Sequence, residues 1–328
     1  MGKKMRKKTV VKIAISAMVL CLSASLQANY KNHEQAQVFV QRMVSEHGFD
    51  KAYVNDLLSK AERKQSILDA ISRPAEKVLT WKDYRKIFLD ESRIAQGREF
   101  LQEYKVPLAR AEQQFGVPAN IIAAIIGVET RYGHHKGKHR VLDALATLAF
   151  DYPPRSTFFT SELEQYLLLV KEQGFKAEEL MGSYAGAMGF GQFISSSYRH
   201  YAVDFDGDDV ADIINNPIDA IGSVANYFNK HGWRAGEAVT VTARINDKTN
   251  RELANQALKP TLSLQDLATG GYQADFNVAA NSLATAMILQ GEQGDEAWIG
   301  FKNFYVITRY NHSALYAMAV FQLSESIK

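Results

Sequence analysis

The chain of 328 residues contains almost no cysteine: Cys21 is its one thiol, and it lies near the amino terminus. We expect the segment around Cys21 to be a leader that is removed, which excludes a disulfide framework and a catalytic cysteine for the rest of the chain. The sequence also has no run of about 20 apolar residues, the length that a helix needs to cross a bilayer. Repeats and low-complexity linkers are absent. With 46% hydrophobic and 23% charged residues, the composition is that of a globular protein with a sizeable core.

The first 29 residues have the layout of a secretory signal peptide. They contain six basic groups and no acidic group, and an apolar run over 13–22 is followed by a small-residue exit that ends at Ala28. This pattern predicts a signal peptide over 1–28 and a mature protein in the periplasm. A lipid anchor on Cys21 is the less favoured alternative, because Leu20 stands where a lipoprotein signal requires Gly, Ala or Ser.

Loss of this leader reverses the sign of the net charge. The whole chain has 38 basic and 36 acidic residues, a formal charge of +2, and removal of the six basic groups leaves −4. A protein with that balance has no bulk electrostatic attraction for a phosphate backbone, so nucleic acid is excluded as a partner.

Hydrophobic periodicity predicts a mainly helical chain. Helices are expected over 33–47, 53–71, 95–115 with a kink at Pro107, 119–131, 142–150 and 158–173. Apolar and polar residues alternate over 239–245, which predicts a half-buried strand, and 283–289 and 304–308 are further candidate strands. Asn311 or Ser313 then caps a closing helix over 314–323.

The helix over 119–131 places an acid in an unusual position. Its interior, 121–128, is apolar on every face, so we expect the helix to be buried, and Glu129 follows that run directly. Burial and the helix carboxyl terminus both raise the pKa of a carboxyl group, which is the condition for a general acid near neutral pH. The alternative is that Glu129 simply forms an ion pair with Arg131 or another base at the helix end.

A glycine-rich segment over 182–193 is the second candidate for chemistry. Four glycines lie within 182–191, interleaved with Met and aromatic residues, as expected where the backbone approaches a ligand closely between apolar walls. It lacks the Lys-Ser/Thr ending of a phosphate loop. The alternative is a tightly packed turn between helices, which would leave Ser183 and Gln192 as ordinary surface residues.

An acidic segment resembles the first part of an EF-hand calcium loop. Its relative positions 1, 3, 5, 7 and 9 supply four carboxylates and one backbone carbonyl. These residues are Asp204, Asp206, Asp208, Val210 and Asp212. Asp209 replaces the usual Gly at position 6, and Asn215 replaces the usual Glu at position 12. The segment predicts a structural Ca²⁺ or Na⁺ site, and a solvated acidic turn is the alternative.

Four ordered segments together resemble the membrane-bound lytic murein transglycosylase B family. They are Gly-Val-Glu-Thr-Arg-Tyr-Gly at 127–133, the glycine-rich block at 182–193, the region 198–233, and Ile-Thr-Arg-Tyr-Asn-His-Ser at 307–313. The resemblance extends over most of the chain after about Trp81.

This resemblance implies a mainly α (α+β) fold with a lysozyme-like catalytic core. The expected order is a helical region at 29–80, the core at 81–236 with the EF-hand-like loop at 204–219, a small β-containing insertion at 237–275, and a return to the core at 276–328. In the family this loop closes with a later acid, which corresponds to Asp219.

The implied activity is cleavage of the β-1,4 bond between N-acetylmuramic acid and N-acetylglucosamine in peptidoglycan without water. Glu129 corresponds to the family residue that protonates the glycosidic oxygen and then acts as base while the muramoyl 6-hydroxyl closes a 1,6-anhydro ring. No catalytic cofactor is implied. The glycan strand is the expected partner, cell-wall synthases are further candidates, and a monomer is expected.

Family positions in the glycan groove correspond to Tyr84, Arg155, Ser183, Gln192, Tyr227, Tyr310, Asn311 and Tyr316. Two other functions stay open at this stage. A hydrolytic muramidase would need a second carboxylate facing Glu129, for which Asp143, Asp151 and Asp204 are candidates. A noncatalytic peptidoglycan-binding scaffold would use the same groove without an acid of raised pKa.

Overall fold

The computed structural model of the chain describes residues 29–72, 79–275 and 281–328. The predicted signal peptide, with Cys21, lies outside the described residues. Among the residues that are described, no helix has both the length and the apolar character needed to span a membrane.

Three helices form the region before residue 72. They are α1 (Glu34–His47), α2 (Lys51–Lys60) and α3 (Gln65–Ile71). The single helix predicted over 53–71 is therefore wrong, since the chain leaves the helical conformation at Ala61. The reason is tertiary: the backbone amides of Glu62 and Lys64 donate to Asp143 Oδ1 (2.9 Å) and Thr147 Oγ1 (3.1 Å) rather than to the preceding turn.

The helical core follows. Its elements are α4 (Trp81–Phe88), α5 (Glu91–Glu103), α6 (Lys105–Phe115), α7 (Ala119–Thr130), α8 (Val141–Asp151), α9 (Ser156–Gln173), α10 (Ser195–Tyr201) and α11 (Pro217–Lys230). The kink predicted at Pro107 is wrong, because the break falls at Tyr104. Pro107 lies in the first turn of α6, where an amide hydrogen is not needed.

Helix α7 is the centre of this core, as its apolar sequence predicts. Every residue from Ile121 to Val128 is buried, and α5, α6 and α11 pack around it. A closing helix, α14 (Ala314–Ser326), packs along it as well. Of the two predicted caps for α14, Ser313 is the cap, since its hydroxyl accepts from the amide of Tyr316 (3.3 Å).

A small antiparallel sheet forms the remaining region. Its strands are β3 (Thr240–Ala243), β4 (Leu262–Ser263), β5 (Leu283–Gln290) and β6 (Asp295–Gly300), in the order β3-β6-β5-β4. The strands predicted over 239–245 and 283–289 are confirmed. Together with α12 (Leu264–Thr269), the sheet encloses a second, smaller core around Leu267, Tyr272 and Ile299. The sheet continues to Gly300, beyond the 237–275 segment expected to contain it.

The strand predicted over 304–308 is wrong, because these residues form the helix α13 (Lys302–Thr308). Phe304, Val306 and Ile307 are all buried, and a short apolar run that is buried on several sides has no periodicity that separates strand from helix. A two-residue pairing of β1 (His139–Arg140) with β2 (Met181–Gly182) completes the fold. The predicted class, mainly α with a small β component, is confirmed.

Candidate active site

Glu129 lies in the last turn of α7, where the buried helix reaches a groove. The phenol of Tyr316, on α14, donates a hydrogen bond to Glu129 Oε1 at 2.5 Å. Burial, followed by the nearby charge of Glu129, raises the pKa of Tyr316 well above its ordinary value. The phenol therefore stays protonated and acts as a fixed donor to this carboxyl oxygen.

Arg131, the base considered as an ion-pair partner for Glu129, extends to a different helix. Its guanidinium donates to Gln96 Oε1 (2.8 Å) and Ser92 Oγ (2.8 Å) on α5.

The groove in front of Glu129 has a volume of about 590 Å³. Most of the residues that sequence analysis placed in a glycan groove do line it. These are Arg155, Ser183, Gln192, Tyr227, Tyr310 and Asn311. They come from segments that are far apart in the chain, and the packing of α9 on α8 and of α11 on α7 contributes to bringing them together.

The glycine-rich block forms one wall of the groove. Ser183 Oγ accepts from the amides of Ala185 (3.2 Å) and Ala187 (3.1 Å), which leaves its own proton to donate elsewhere. Gln192 has φ +51°, and its Nε2 donates to Gly189 O (3.0 Å). A Cβ on Gly189 would lie 2.2 Å from Ile213 O, so only glycine allows this close approach. The block is thus a tightly packed turn, which was the alternative considered for this segment. It nevertheless presents Ser183 and Gln192 to the groove.

Two tyrosines form a rigid aromatic wall. The hydroxyl of Tyr310 donates to Gly191 O (2.6 Å) and that of Tyr227 donates to Arg309 O (2.6 Å). Their rings lie 4.8 Å apart at 61°. Burial, and then the charge of Glu129, raises the pKa of Tyr310 well above its ordinary value. Both rings are therefore fixed by hydrogen bonds to the backbone and by packing against neighbouring aromatic side chains such as Phe193.

Two predicted groove residues lie behind the wall instead. Tyr84 and Tyr316 are each only 3% exposed. Tyr316 reaches the site through its bond to Glu129, whereas the ring of Tyr84 packs against Phe88 at 5.1 Å. Tyr84 lies in the core on α4, which packs on α14, and it is among the groups that raise the pKa of Tyr316. Its contact with a substrate stays a prediction.

Several further residues that the sequence patterns did not single out line the groove. Phe158 and Tyr184 line the groove and are 37% and 38% exposed, which is high for large aromatic side chains. The guanidinium of Arg155 lies 4.3 Å from the Phe158 ring centroid. Arg309 and His312, which flank the predicted Tyr310 and Asn311, also line it. Tyr184, Arg309 and His312 each lie next to a residue that had been singled out, and this adjacency is the signal that could have identified them.

The three acids considered as second carboxylates are engaged elsewhere. Asp143 accepts from Arg140 at 2.9 and 2.7 Å, and Asp151 accepts from Tyr30 at 2.5 Å. Asp204 belongs to the acidic loop. Among the described residues that line the groove, Glu129 is the one carboxylate.

A larger cavity of about 750 Å³ lies beside β3 and α13. Its two carboxylates, Glu237 and Asp275, are ion-paired with Arg234 and Arg244. The groove around Glu129 is therefore the better candidate for chemistry.

The acidic loop gathers four of its predicted ligands. One carboxylate oxygen from each of Asp204, Asp206, Asp208 and Asp219 lies within 4.8 Å of the others. Carboxylate oxygens in this number are the donors that Ca²⁺ prefers, so the residues fit such an ion. Asp209 has φ +70° and takes the left-handed conformation that Gly supplies at this position of an EF-hand.

The charges of this cluster are balanced in part by the backbone. Asp204 accepts from the amides of Gly207 (2.7 Å) and Asp209 (2.8 Å), and these bonds lower its pKa. Asp219 is buried, and burial raises its pKa although two amides donate to it.

Of the predicted carboxylate ligands, Asp212 is not part of this cluster, and the backbone carbonyl of Val210 stays a predicted ligand. The carboxylate of Asp212 accepts from the amides of Ile214 (3.0 Å) and Asn215 (3.0 Å), so it shapes the loop. The carbonyl of Val210 accepts from the amide of Asp212 (3.1 Å).

A mainly helical core with a carboxylic acid in a groove that has aromatic and amide walls fits the class of enzymes that act on glycan chains. Comparisons with known proteins agree with this class. The transglycosylase SLT domain family matches residues 31–325. The membrane-bound lytic murein transglycosylase B of Escherichia coli (strain K12) is 42% identical over 308 residues, covering 91% of this chain and 84% of that protein.

Solved structures are similar over nearly the whole chain. The catenated lytic transglycosylase SltB1 from Pseudomonas aeruginosa has a TM-score of 0.88 at 50% identity, covering 91% of this chain and 98% of that chain. The Escherichia coli lytic transglycosylase SLT35 in complex with calcium has a TM-score of 0.85 at 41% identity, covering 93% and 97%. The chain belongs to the transglycosylase SLT domain family, and it is a lytic transglycosylase with a lysozyme-like core.

Proposed function

We propose that this enzyme cleaves the β-1,4 bond between N-acetylmuramic acid and N-acetylglucosamine in peptidoglycan and leaves a 1,6-anhydro end. The proposal is supported mainly by the hydrogen bond that Tyr316 donates to Glu129 in the groove. Among the described residues that line this groove, Glu129 is the one carboxylate. A single carboxyl group suffices when the nucleophile belongs to the substrate.

In the first step Glu129 acts as general acid. Tyr316 holds Oε1 and so orients the carboxyl group, which transfers its proton to the glycosidic oxygen. Proton transfer makes the N-acetylglucosamine hydroxyl the leaving group, and the bond from that oxygen to C1 of the muramoyl sugar breaks as positive charge develops at C1.

In the second step the same carboxylate acts as base. It takes the proton of the muramoyl 6-hydroxyl, and that oxygen bonds to C1 to close the anhydro ring, so Glu129 is protonated again and water is not consumed. Because the attacking oxygen and C1 belong to one sugar, the closure is intramolecular and gains the rate advantage of a high effective concentration.

The groove walls suit an uncharged polymer with apolar faces and hydroxyl edges. Ser183 keeps a free proton to donate to a substrate oxygen, and Gln192 keeps its amide oxygen to accept from the N–H of an acetamido group, because its nitrogen is bonded to the backbone. The exposed rings of Phe158 and Tyr184 offer surfaces on which sugar faces stack.

The acidic loop would hold one structural cation, Ca²⁺ or Na⁺, through Asp204, Asp206, Asp208 and Asp219. Such an ion supplies the positive charge that relieves repulsion among these carboxylates. The complex of SLT35 with calcium supports Ca²⁺.

The proposed substrate lies outside the cytoplasmic membrane, so the function requires export. The basic and then apolar sequence over 1–28 supplies the signal, and the periplasm is the proposed place of action.

The test is mass spectrometry of fragments released from purified peptidoglycan, with Glu129→Gln alongside. Products lighter by one water than hydrolytic fragments, and absent with the variant, support the proposal. Full-mass reducing ends would instead establish a muramidase, and equal binding without release by both proteins would establish a binding scaffold.

A further inference from the structure

The backbone that follows Glu129 has a conformation that side chains rarely adopt. Arg131 has φ +51° and Tyr132 has φ +57°, and neither is glycine. Their amides donate to Gly127 O (3.1 Å) and Ile126 O (3.2 Å), which closes the end of α7. Non-glycine residues stay in this left-handed region only where the surroundings over-determine them.

The side chain of Arg131 provides the first restraint. Its guanidinium donates to Gln96 Oε1 (2.8 Å) and Ser92 Oγ (2.8 Å) in the first half of α5, and to Asp90 Oδ1 (3.3 Å) of the residue that caps this helix. The guanidinium is a planar fork with fixed donor directions, so three acceptors on one helix define its position closely. The end of α7 is thereby tied to the start of α5.

The ring of Tyr132 provides the second restraint. It is 8% exposed and lies between α5 and α7, each of which has a glycine at the contact. A Cβ on Gly97 would lie 2.3 Å from Tyr132 Oη, and a Cβ on Gly127 would lie 2.5 Å from Tyr132 Cζ. Within the described residues the hydroxyl of Tyr132 has no hydrogen-bond partner. The ring therefore restrains the end of α7 by packing and not by a hydrogen bond.

Thr130 connects the same helix end to the groove wall. Its hydroxyl, 1% exposed, lies 2.9 Å from Phe190 O and accepts from the amide of Gly133 (3.0 Å). Phe190 precedes Gln192 by two residues in the glycine-rich block. The segment after Glu129 thus fixes the acid relative to the wall that presents the substrate.

We propose that Arg131 and Tyr132 are positioning residues that hold Glu129 at a fixed place in the groove. This inference rests on the proposed function of Glu129 as acid and base. Glycine at either position would adopt the same backbone without strain, but it would leave the end of α7 free to move. The chain uses two anchored side chains instead, at the helix end that carries the reacting group.

The test for Arg131 compares Arg131→Gly with Arg199→Ala. Glycine suits the left-handed backbone, so this variant removes the anchor without adding strain. Arg199 is a matched control, because its side chain is 26% exposed, as is that of Arg131, and it bonds Glu172 and Gln165 away from the groove. We expect Arg131→Gly to lower kcat by roughly ten- to a hundredfold, as for small displacements of a catalytic group.

The distribution of that loss between kcat and KM separates positioning from substrate binding. KM for Arg131→Gly should stay within about twofold of the wild type, because the groove residues are untouched. Arg199→Ala should keep the wild-type kcat, although its melting temperature should fall at least as far as that of Arg131→Gly. If Arg131→Gly does not fold, Arg131→Lys, which keeps the charge but loses the fork, takes its place and should show an intermediate kcat.

The test for Tyr132 uses a conservative rescue. Tyr132→Phe keeps the ring and should retain the wild-type kcat, whereas Tyr132→Ala should lose activity as Arg131→Gly does. Both are measured well below their melting temperatures.

Three results would overturn the inference. They are a full kcat for Arg131→Gly, an equal loss of kcat for Arg199→Ala, or equal kcat values for Tyr132→Phe and Tyr132→Ala. Failure of the proposed function is recognised separately: the wild type would then release no anhydro product, or Glu129→Gln would release as much as the wild type.

Discussion

The two acidic sites of this enzyme have opposite surroundings. Glu129 stands in a groove and receives a hydrogen bond from a neutral phenol, that of Tyr316. Asp204, in the acidic loop, receives bonds from consecutive backbone amides, which lower its pKa, and three further carboxylates lie beside it. A single carboxyl group next to a phenol remains able to gain and lose a proton, whereas grouped carboxylates with fixed donors favour a bound cation. In the proposed function the same chemical group thus serves proton transfer in one place and structure in the other.

The largest effect should come from removing the acid of the groove. Glu129→Gln keeps the size of the side chain but cannot transfer a proton, so kcat should fall by about a thousandfold. The control is Glu162→Gln, which alters a buried carboxyl group that accepts from Ser196 Oγ (2.6 Å) and does not line the groove. It should lower the melting temperature and leave kcat unchanged. Equal kcat values for Glu129→Gln and Glu162→Gln would contradict the proposed role of Glu129 in proton transfer.

A smaller effect should come from removing the phenol. Tyr316→Phe deletes the donor to Glu129, and we expect kcat to fall about tenfold because the acid loses its fixed orientation. Tyr166→Phe is the control, since its buried hydroxyl donates to Ala177 O (2.6 Å). Each variant should lose about 1 kcal/mol of stability, the usual net value of one hydrogen bond. Thermal melts and initial rates of both variants check this, and a full kcat for Tyr316→Phe would contradict it.

Much of the first site, but not its central contact, was predictable from sequence. The apolar run before Glu129 specifies a buried helix, and the glycines of 182–193 specify a close turn, and the structure brings both segments to one groove. Tyr316 lies 187 positions from Glu129, and only the packing of α14 on α7 makes them partners. The same long-range packing turns Tyr84 inward and makes 304–308 a helix, which local periodicity does not encode.

The acidic loop should affect stability rather than catalysis. At a calcium concentration a hundredfold above its Kd, binding should stabilise the folded state by about 2.7 kcal/mol. Asp206→Asn should abolish the rise in melting temperature on adding calcium, while Asp212→Asn should retain it, because Asp212 bonds the loop backbone and stands outside the cluster. Calorimetry with calcium and with a chelator measures both. A large calcium dependence of kcat well below the melting temperature would contradict a purely structural loop.

The smallest effect should come from the turn inside that loop. Asp209 has φ +70° and its carboxylate is not part of the cluster. Asp209→Gly should therefore raise stability by about 0.5–1 kcal/mol, because glycine adopts this conformation without a steric cost. Its melting temperature should still rise with calcium, and a loss of that response would show that Asp209 binds the ion.

The central claim is that one carboxyl group in the groove suffices because the substrate supplies the nucleophile. Its most direct test is digestion of peptidoglycan by the wild-type enzyme in water labelled with heavy oxygen, followed by mass spectrometry of the released muramoyl ends. The account predicts anhydro ends that carry no label. Labelled reducing ends would show that water attacks C1, and they would contradict it.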